Sequence, residues 1–161
     1  MVDGINLALI AIAGTMLTIL GAGYPLSKGI KAAAAAVAQK KGLNVYILIF
    51  LALAEALAIY GLLIAFVMYT KIAPILSGEI DYILTETDGY IFLAAMFIML
   101  VSNIGAAITL AQGEPAAIGS ITADSEVFTP NLIYLGLGEA LAIYGLLIAF
   151  ILLNLVTIPI S

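Results

Sequence analysis

Four apolar stretches in the sequence are each long enough to cross a lipid bilayer, and they constrain the fold more than any other feature. A membrane-spanning helix needs roughly 20 apolar residues. Backbone groups in lipid must find their hydrogen-bond partners within the segment, so each stretch predicts an α-helix. The stretches cover about residues 5–27 (extending to 37), 43–70, 90–110 (extending to 121) and 132–158.

The few polar residues exclude several kinds of function. Of 161 residues only 9% are charged, and Cys and His are both absent. Disulfide, thiol and imidazole chemistry are therefore excluded for this chain. All five basic residues are lysines and the formal net charge is −5. Nucleic-acid binding, which needs clustered basic side chains, is not expected.

The lysines also predict the orientation of the chain in the membrane. Lys40 and Lys41 lie in the first loop, and the positive-inside rule places that loop in the cytoplasm. Four spans then place both termini and the acidic 71–89 loop outside, and return the loop near 123–126 to the cytoplasm. The sequence shows no targeting segment, which favours a prokaryotic plasma membrane over an organelle. The 71–89 loop is long enough for a short surface helix.

An internal repeat divides the chain into two halves. The twelve residues EALAIYGLLIAF occur at 55–66 and again, unchanged, at 139–150. An offset of 84 residues also aligns small residues of the first and third spans. We therefore predict an all-α membrane protein built as two tandem helical hairpins with the same topology, over residues 1–80 and 81–161.

The two helices of each predicted hairpin differ in the size of their side chains. The first and third spans carry small residues at intervals of four, which allow close packing against another backbone. The second and fourth spans are rich in bulky side chains, which suit contact with lipid. The small residues are Gly21, Pro25, Gly29, Ala33, and Gly105, Thr109, Gly113, Ala117.

Each repeat places a carboxylate near the bilayer centre. Glu55 and Glu139 both lie about 14 residues beyond the middle of a predicted cytoplasmic loop. An ionisable group at this depth is costly and indicates a functional site. Counting back from the third loop predicts that Gln112 lies level with Glu139. The repeat mate of Gln112 is Lys28, so an ammonium is predicted to oppose Glu55.

These features resemble a known family. The paired hairpins, the Gly- and Ala-rich first helices and the motif Glu-Ala-Leu-x-x-Tyr-Gly-Leu-x-x-Ala are similar to the duplicated proteolipid (c or K) subunit of V-type and A-type rotary ATPases. The resemblance implies a membrane rotor ring of many copies surrounded by lipid. It also implies a stator subunit with an essential arginine and central-stalk subunits at the cytoplasmic loops. Ion passage is coupled to ATP hydrolysis or synthesis on other subunits, so this chain needs no catalytic site and no cofactor.

The resemblance leaves the coupling ion open between the proton and sodium. Ala56 and Ala140 follow the two glutamates where sodium-type relatives carry polar ligands, which favours protons. Gln112 lies in an Ala-Gln-Gly context like that of sodium-binding relatives, and Glu139 with Gln112 would be the sodium ligands. The resemblance also implies that Tyr60 and Tyr144 donate their hydroxyls to neighbouring carboxylates, or else simply pack.

Two further charged groups have open roles. Lys28 either forms a salt bridge that silences Glu55 or extends toward the cytoplasmic surface. Glu114 is predicted to be interfacial or lumen-facing rather than a third ion site. A channel or transporter without a ring, and a purely structural tetraspan protein, are the competing functions; the first lacks a polar stripe, and the second does not explain two mid-membrane acids.

Overall fold

The computed structural model describes residues 3–158, which form five α-helices and no strand. A 3-10 turn at Ser125–Val127 connects the last two helices. The helices are α1 (Gly4–Thr15), α2 (Thr18–Gln39), α3 (Asn44–Leu76), α4 (Glu86–Ala123) and α5 (Phe128–Leu153).

Four helical segments have the length and composition of membrane spans. They are Gly4–Gln39, Asn44–Leu76, Glu86–Ala123 and Ser125–Leu153. The prediction of an all-α protein with four spans is confirmed, and the chain is an integral, multi-pass membrane protein. Within the most apolar window of each span only 28–33% is buried. Most of the helical surface therefore remains available to lipid or to other chains.

The sequence predicts one continuous helix for the first span. In the structure this helix is interrupted at Met16 and Leu17. Hydroxyl groups on both sides of the break bond the local backbone. Thr15 donates to the Ala11 carbonyl (2.7 Å) and Thr18 donates to the Thr15 carbonyl (2.8 Å). Such bonds compete with the regular helix ladder, and the backbone tightens here to 3-10 hydrogen bonds.

The extramembrane loops are shorter than the sequence suggests. α3 continues to Leu76 and α4 begins at Glu86, where Thr85 and Asp88 form a capping box. No separate surface helix forms between them, because the ends of the two long helices take up most of the predicted 71–89 loop. The proposed division between residues 80 and 81 lies in this connection.

The two hairpins pack their helices in the same register. A Cβ built on Gly29 of α2 would lie 2.5 Å from Leu51 of α3, and one on Gly113 of α4 would lie 2.8 Å from Leu135 of α5. Both members of the second pair are offset by 84 residues from the first. The sequence repeat is therefore also a structural repeat. α4 is central and contacts each of the other four α-helices.

Candidate functional site

A hydrogen bond between the two hairpins marks the candidate site. The Tyr60 hydroxyl of α3 donates a hydrogen bond to Glu139 Oε1 of α5, with an oxygen–oxygen distance of 2.5 Å. Both side chains are half-buried. One carboxylate oxygen is thus oriented by a donor from the other hairpin, and the group keeps access to the protein surface. This arrangement can hold a proton or a cation at Glu139 and can release it toward a neighbouring molecule.

Asn103 of α4 bonds the α3 backbone one helical turn before Tyr60, and the sequence interpretation missed it. Its side chain is buried, and Nδ2 donates a hydrogen bond to the Leu57 carbonyl oxygen of α3 at a distance of 2.8 Å. Leu57 precedes Tyr60 by one helical turn. The bond therefore ties α3 to α4 close to the hydroxyl that reaches Glu139. A carboxamide within a long apolar stretch was the available sequence signal.

Glu55 and Tyr144 do not meet in the chain, although they are the repeat mates of Glu139 and Tyr60. Both side chains are exposed, and neither has a side-chain hydrogen bond within residues 3–158. The reason is topological. Hairpin 1 covers one side of hairpin 2, whereas residues 3–158 hold no third hairpin that would complete the equivalent pair.

Gln112 is exposed and has no hydrogen bond to Glu139. The observed register brings Thr109, not Gln112, level with this part of α5, since a Cβ on Gly138 would lie 3.2 Å from Thr109. Gln112 lies three residues, or about 4.5 Å, nearer the C-terminal end of α4. The expectation that Gln112 and Glu139 meet at one depth overlooked this offset between the helices.

Lys28 does not pair with Glu55 within the chain. No ion pair within 4.0 Å joins these two described residues, and the Lys28 Nζ lies 5.7 Å from the centre of the Tyr24 ring. Lys28 is exposed, whereas its neighbour Gly29 faces Leu51. The ammonium thus extends away from the α2–α3 contact that a salt bridge to Glu55 would need.

Glu114 differs from its sequence interpretation as an interfacial or lumen-facing residue. Its side chain is 0% exposed, and neither carboxyl oxygen has a hydrogen-bond partner. α4 turns this position toward α2, where Gly29 leaves space for the carboxyl group. Among the described residues, no group of three or more acidic, Cys or His side chains is arranged to hold a metal ion.

Comparison with known families assigns this architecture. The family model for the ATP synthase c-subunit matches twice, at residues 9–68 and 93–152, once for each hairpin. The chain belongs to the ATP synthase c-subunit family. It is accordingly a duplicated proteolipid of this family and an ion-translocating rotor subunit. No curated protein matches the chain.

Proposed function

We propose that the chain is the proteolipid subunit of a V/A-type rotary ATPase and that protons are its coupling ion. Glu139 carries the ion, with Tyr60 as its hydrogen-bond donor. The observation that supports this most directly is the Tyr60–Glu139 bond between two copies of a c-subunit hairpin. Fusion of two hairpins in one chain favours the V/A-type class, which the duplicated sequence resembles.

The physical basis is the difference between the two charge states of a carboxyl group in lipid. A neutral acid crosses an apolar environment at modest cost, whereas an ionised carboxylate costs several kcal/mol or more. Glu139 therefore binds a proton before it enters the lipid-facing arc. It releases the proton beside the stator, where an arginine of that subunit stabilises the carboxylate. Nucleotide chemistry takes place on other subunits of the complex.

The proposal includes a ring in which neighbouring copies complete the second site. A groove of about 650 Å³ lies open between α4 and α5, with Gly113 and Leu135 in its wall. The equivalent surface of hairpin 1 is covered by hairpin 2 of the same chain. Repeating this packing places hairpin 1 of the next copy in the groove and directs Tyr144 toward that copy's Glu55.

The surroundings of the glutamates favour protons over sodium. Sodium needs several oxygen ligands, and apolar Ala56 and Leu57 follow Glu55, while Ala140 and Leu141 follow Glu139. Gln112 is the amide that can supply a further oxygen, and in the isolated chain it does not reach Glu139. The proposed site therefore consists of a carboxyl group and a phenol, which are sufficient for a proton.

Carbodiimide labelling of the purified ring tests the site and the ion together. Dicyclohexylcarbodiimide modifies protonated carboxyl groups, and intact mass with peptide mapping locates the adduct. We expect adducts at Glu139 and Glu55 that sodium does not suppress. Protection by millimolar sodium would establish sodium as the ion. A single adduct at Glu139 would show that Glu55 is silent, as a salt bridge to Lys28 in the assembled ring requires.

Cysteine cross-linking tests the contact between copies without interference from native cysteines. Inside one chain, Gly29 faces Glu114. In the proposed ring, their repeat mates Gly113 of one copy and Ile30 of the next copy should face each other in the same way, so a cysteine is placed at each of these two positions. We expect oxidation to link successive copies into a ladder of oligomers. A control pair at Ile30 and Ile133, which is exposed on α5, should give no ladder. The reverse result would exclude the proposed packing.

The orientation follows the lysine distribution. The α2–α3 and α4–α5 loops face the cytoplasm and contact the central stalk, and the α3–α4 connection and both termini face outside. A prokaryotic plasma membrane is the proposed location. Access of a protease or a membrane-impermeant amine reagent to Lys40 and Lys41 in oriented vesicles checks this orientation.

A further inference from the structure

Glu114 is a buried acid that the proposed transport cycle does not use. It lies in the C-terminal half of α4, is 0% exposed, and has both carboxyl oxygens without a hydrogen-bond partner. Glu139 and Glu55 instead lie at the protein surface. A polar group buried without a partner is rare in a folded protein, because the lost hydration is not replaced.

The surroundings of Glu114 contain no compensating charge. A Cβ built on Gly29 would lie 2.7 Å from Glu114 Oε2, so the carboxyl group occupies the space that this glycine leaves beside α2. Lys28 and Lys31 of α2 and Glu55 of α3 are all exposed. No described cation lies within 4.0 Å of Glu114. An ionised carboxylate there would be an unpaired buried charge, which is strongly destabilising.

Comparison with the repeat separates Glu114 from the transport groups. Glutamate, tyrosine and glycine recur in both copies of the twelve-residue motif, whereas the repeat mate of Glu114 is Ile30. Ile30 is exposed on α2. The acid therefore occurs only at the contact between the two hairpins of one chain, and an apolar residue takes its place on the free surface.

We propose that Glu114 holds a third proton, which is sealed between the hairpins and is not exchanged during transport. The neutral carboxyl group lies against α2 in the space beside Gly29. The absence of a side chain at Gly29 allows that approach. The bound proton thus stabilises the hairpin contact, and the site takes no ion from the transport path. This inference is independent of whether the coupling ion is a proton or sodium.

Infrared spectroscopy of the wild-type ring is the direct test. A protonated carboxyl group in an apolar site has a C=O stretching band separate from that of a carboxylate. We expect one such band to stay constant from about pH 3 to about pH 9, while surface carboxyl groups titrate within this range near their ordinary values of about 4. Transfer into D₂O should shift this band far more slowly than the bands of Glu139 and Glu55. A Glu114 signal that is a carboxylate, or that exchanges as fast as Glu139, would overturn the proposal.

Variants assign the band and separate it from transport. In Glu114→Gln the constant band should disappear, while assembly and ion transport by the reconstituted ATPase complex persist, because the amide is neutral and of similar size. The matched control Glu126→Gln, in the α4–α5 connection, should keep the band. Carbodiimide should not label Glu114 in the folded ring. Labelling at Glu114, or transport lost in a fully assembled Glu114→Gln ring, would contradict a sealed site.

Discussion

The two hairpins share a twelve-residue sequence but place its glutamate in different surroundings. Glu139 of hairpin 2 accepts a hydrogen bond from Tyr60 of hairpin 1, whereas Glu55 is exposed and has no such donor within the chain. The difference does not arise from the motif itself. It arises because hairpin 1 lies beside hairpin 2 on one side only. The motif of hairpin 2 is therefore covered at Glu139, whereas the identical motif of hairpin 1 is exposed at Glu55.

The contact between the hairpins is also more polar than the surface that repeats it. α4 presents buried Asn103 and Glu114 to hairpin 1, while the repeat mates on α2, Ile19 and Ile30, are exposed. A Cβ on Gly21 would lie 2.8 Å from Asn103. The chain therefore distinguishes its internal contact from the contact it offers to another copy, even though the backbone packing is repeated.

Loss of the carboxyl groups should produce the largest effect. Glu139→Gln should lower ATP-driven transport by the assembled complex the most, since it removes the carrier whose hydrogen-bond donor, Tyr60, lies in the same chain. Glu55→Gln should retain transport with a lower ion-to-ATP ratio, because one of two carriers per chain remains. Transport and ATP hydrolysis measured in the same proteoliposomes check this. Equal, complete losses would show that the two hairpins are functionally equivalent.

Glycine substitutions should show where the two hairpins are alike. A Cβ at Gly61 would overlap Thr18, and one at Gly145 would overlap Ser102 at the matching position. We expect either Gly→Ala change to destabilise the chain by about 1–3 kcal/mol, the typical cost of overpacking. Gly136→Ala is the control, because its Cβ meets nothing within 4 Å. Thermal unfolding in detergent measures the difference, and a stable Gly61→Ala would contradict the observed packing.

Removal of the phenol hydroxyls should have an intermediate effect. Tyr60→Phe removes the donor to Glu139, with an expected cost of about 1 kcal/mol, or about fivefold in transport rate. Tyr144→Phe should have a similar effect in the ring if it serves Glu55 of the next copy. In dissociated single chains, only Tyr60→Phe should change the labelling of a glutamate. An effect of Tyr144→Phe in single chains would argue against the proposed contact between copies.

The smallest effect is expected at Lys28, whose Nζ lies beside Tyr24 rather than Glu55. Lys28→Gln should leave the number of carbodiimide-reactive carboxyl groups per chain unchanged, as should the control Lys31→Gln. Intact mass after labelling measures this number. An additional adduct at Glu55 in Lys28→Gln alone would show that the ring brings the two together.

Much of the fold was predictable from the sequence because lipid restricts the possibilities so strongly. Apolar length fixed four helical spans, and the 84-residue offset indicated two hairpins of the same topology. The interruption at Met16 and Leu17 was not predicted. It depends on two hydroxyl groups that bond the backbone locally, and such a choice between alternative hydrogen bonds has little effect on hydropathy.

The candidate site was predictable in its residue types but not in its partners. Apolar surroundings single out Glu55 and Glu139, since a mid-membrane acid is costly wherever the helices lie. The sequence by itself thus determined the spans, the repeat and the two acids. Only the tertiary structure decided that Tyr60 reaches Glu139 and that Glu114 is buried beside Gly29. These contacts depend on the rotation and register of helices distant in sequence, which hydrophobicity alone leaves undetermined.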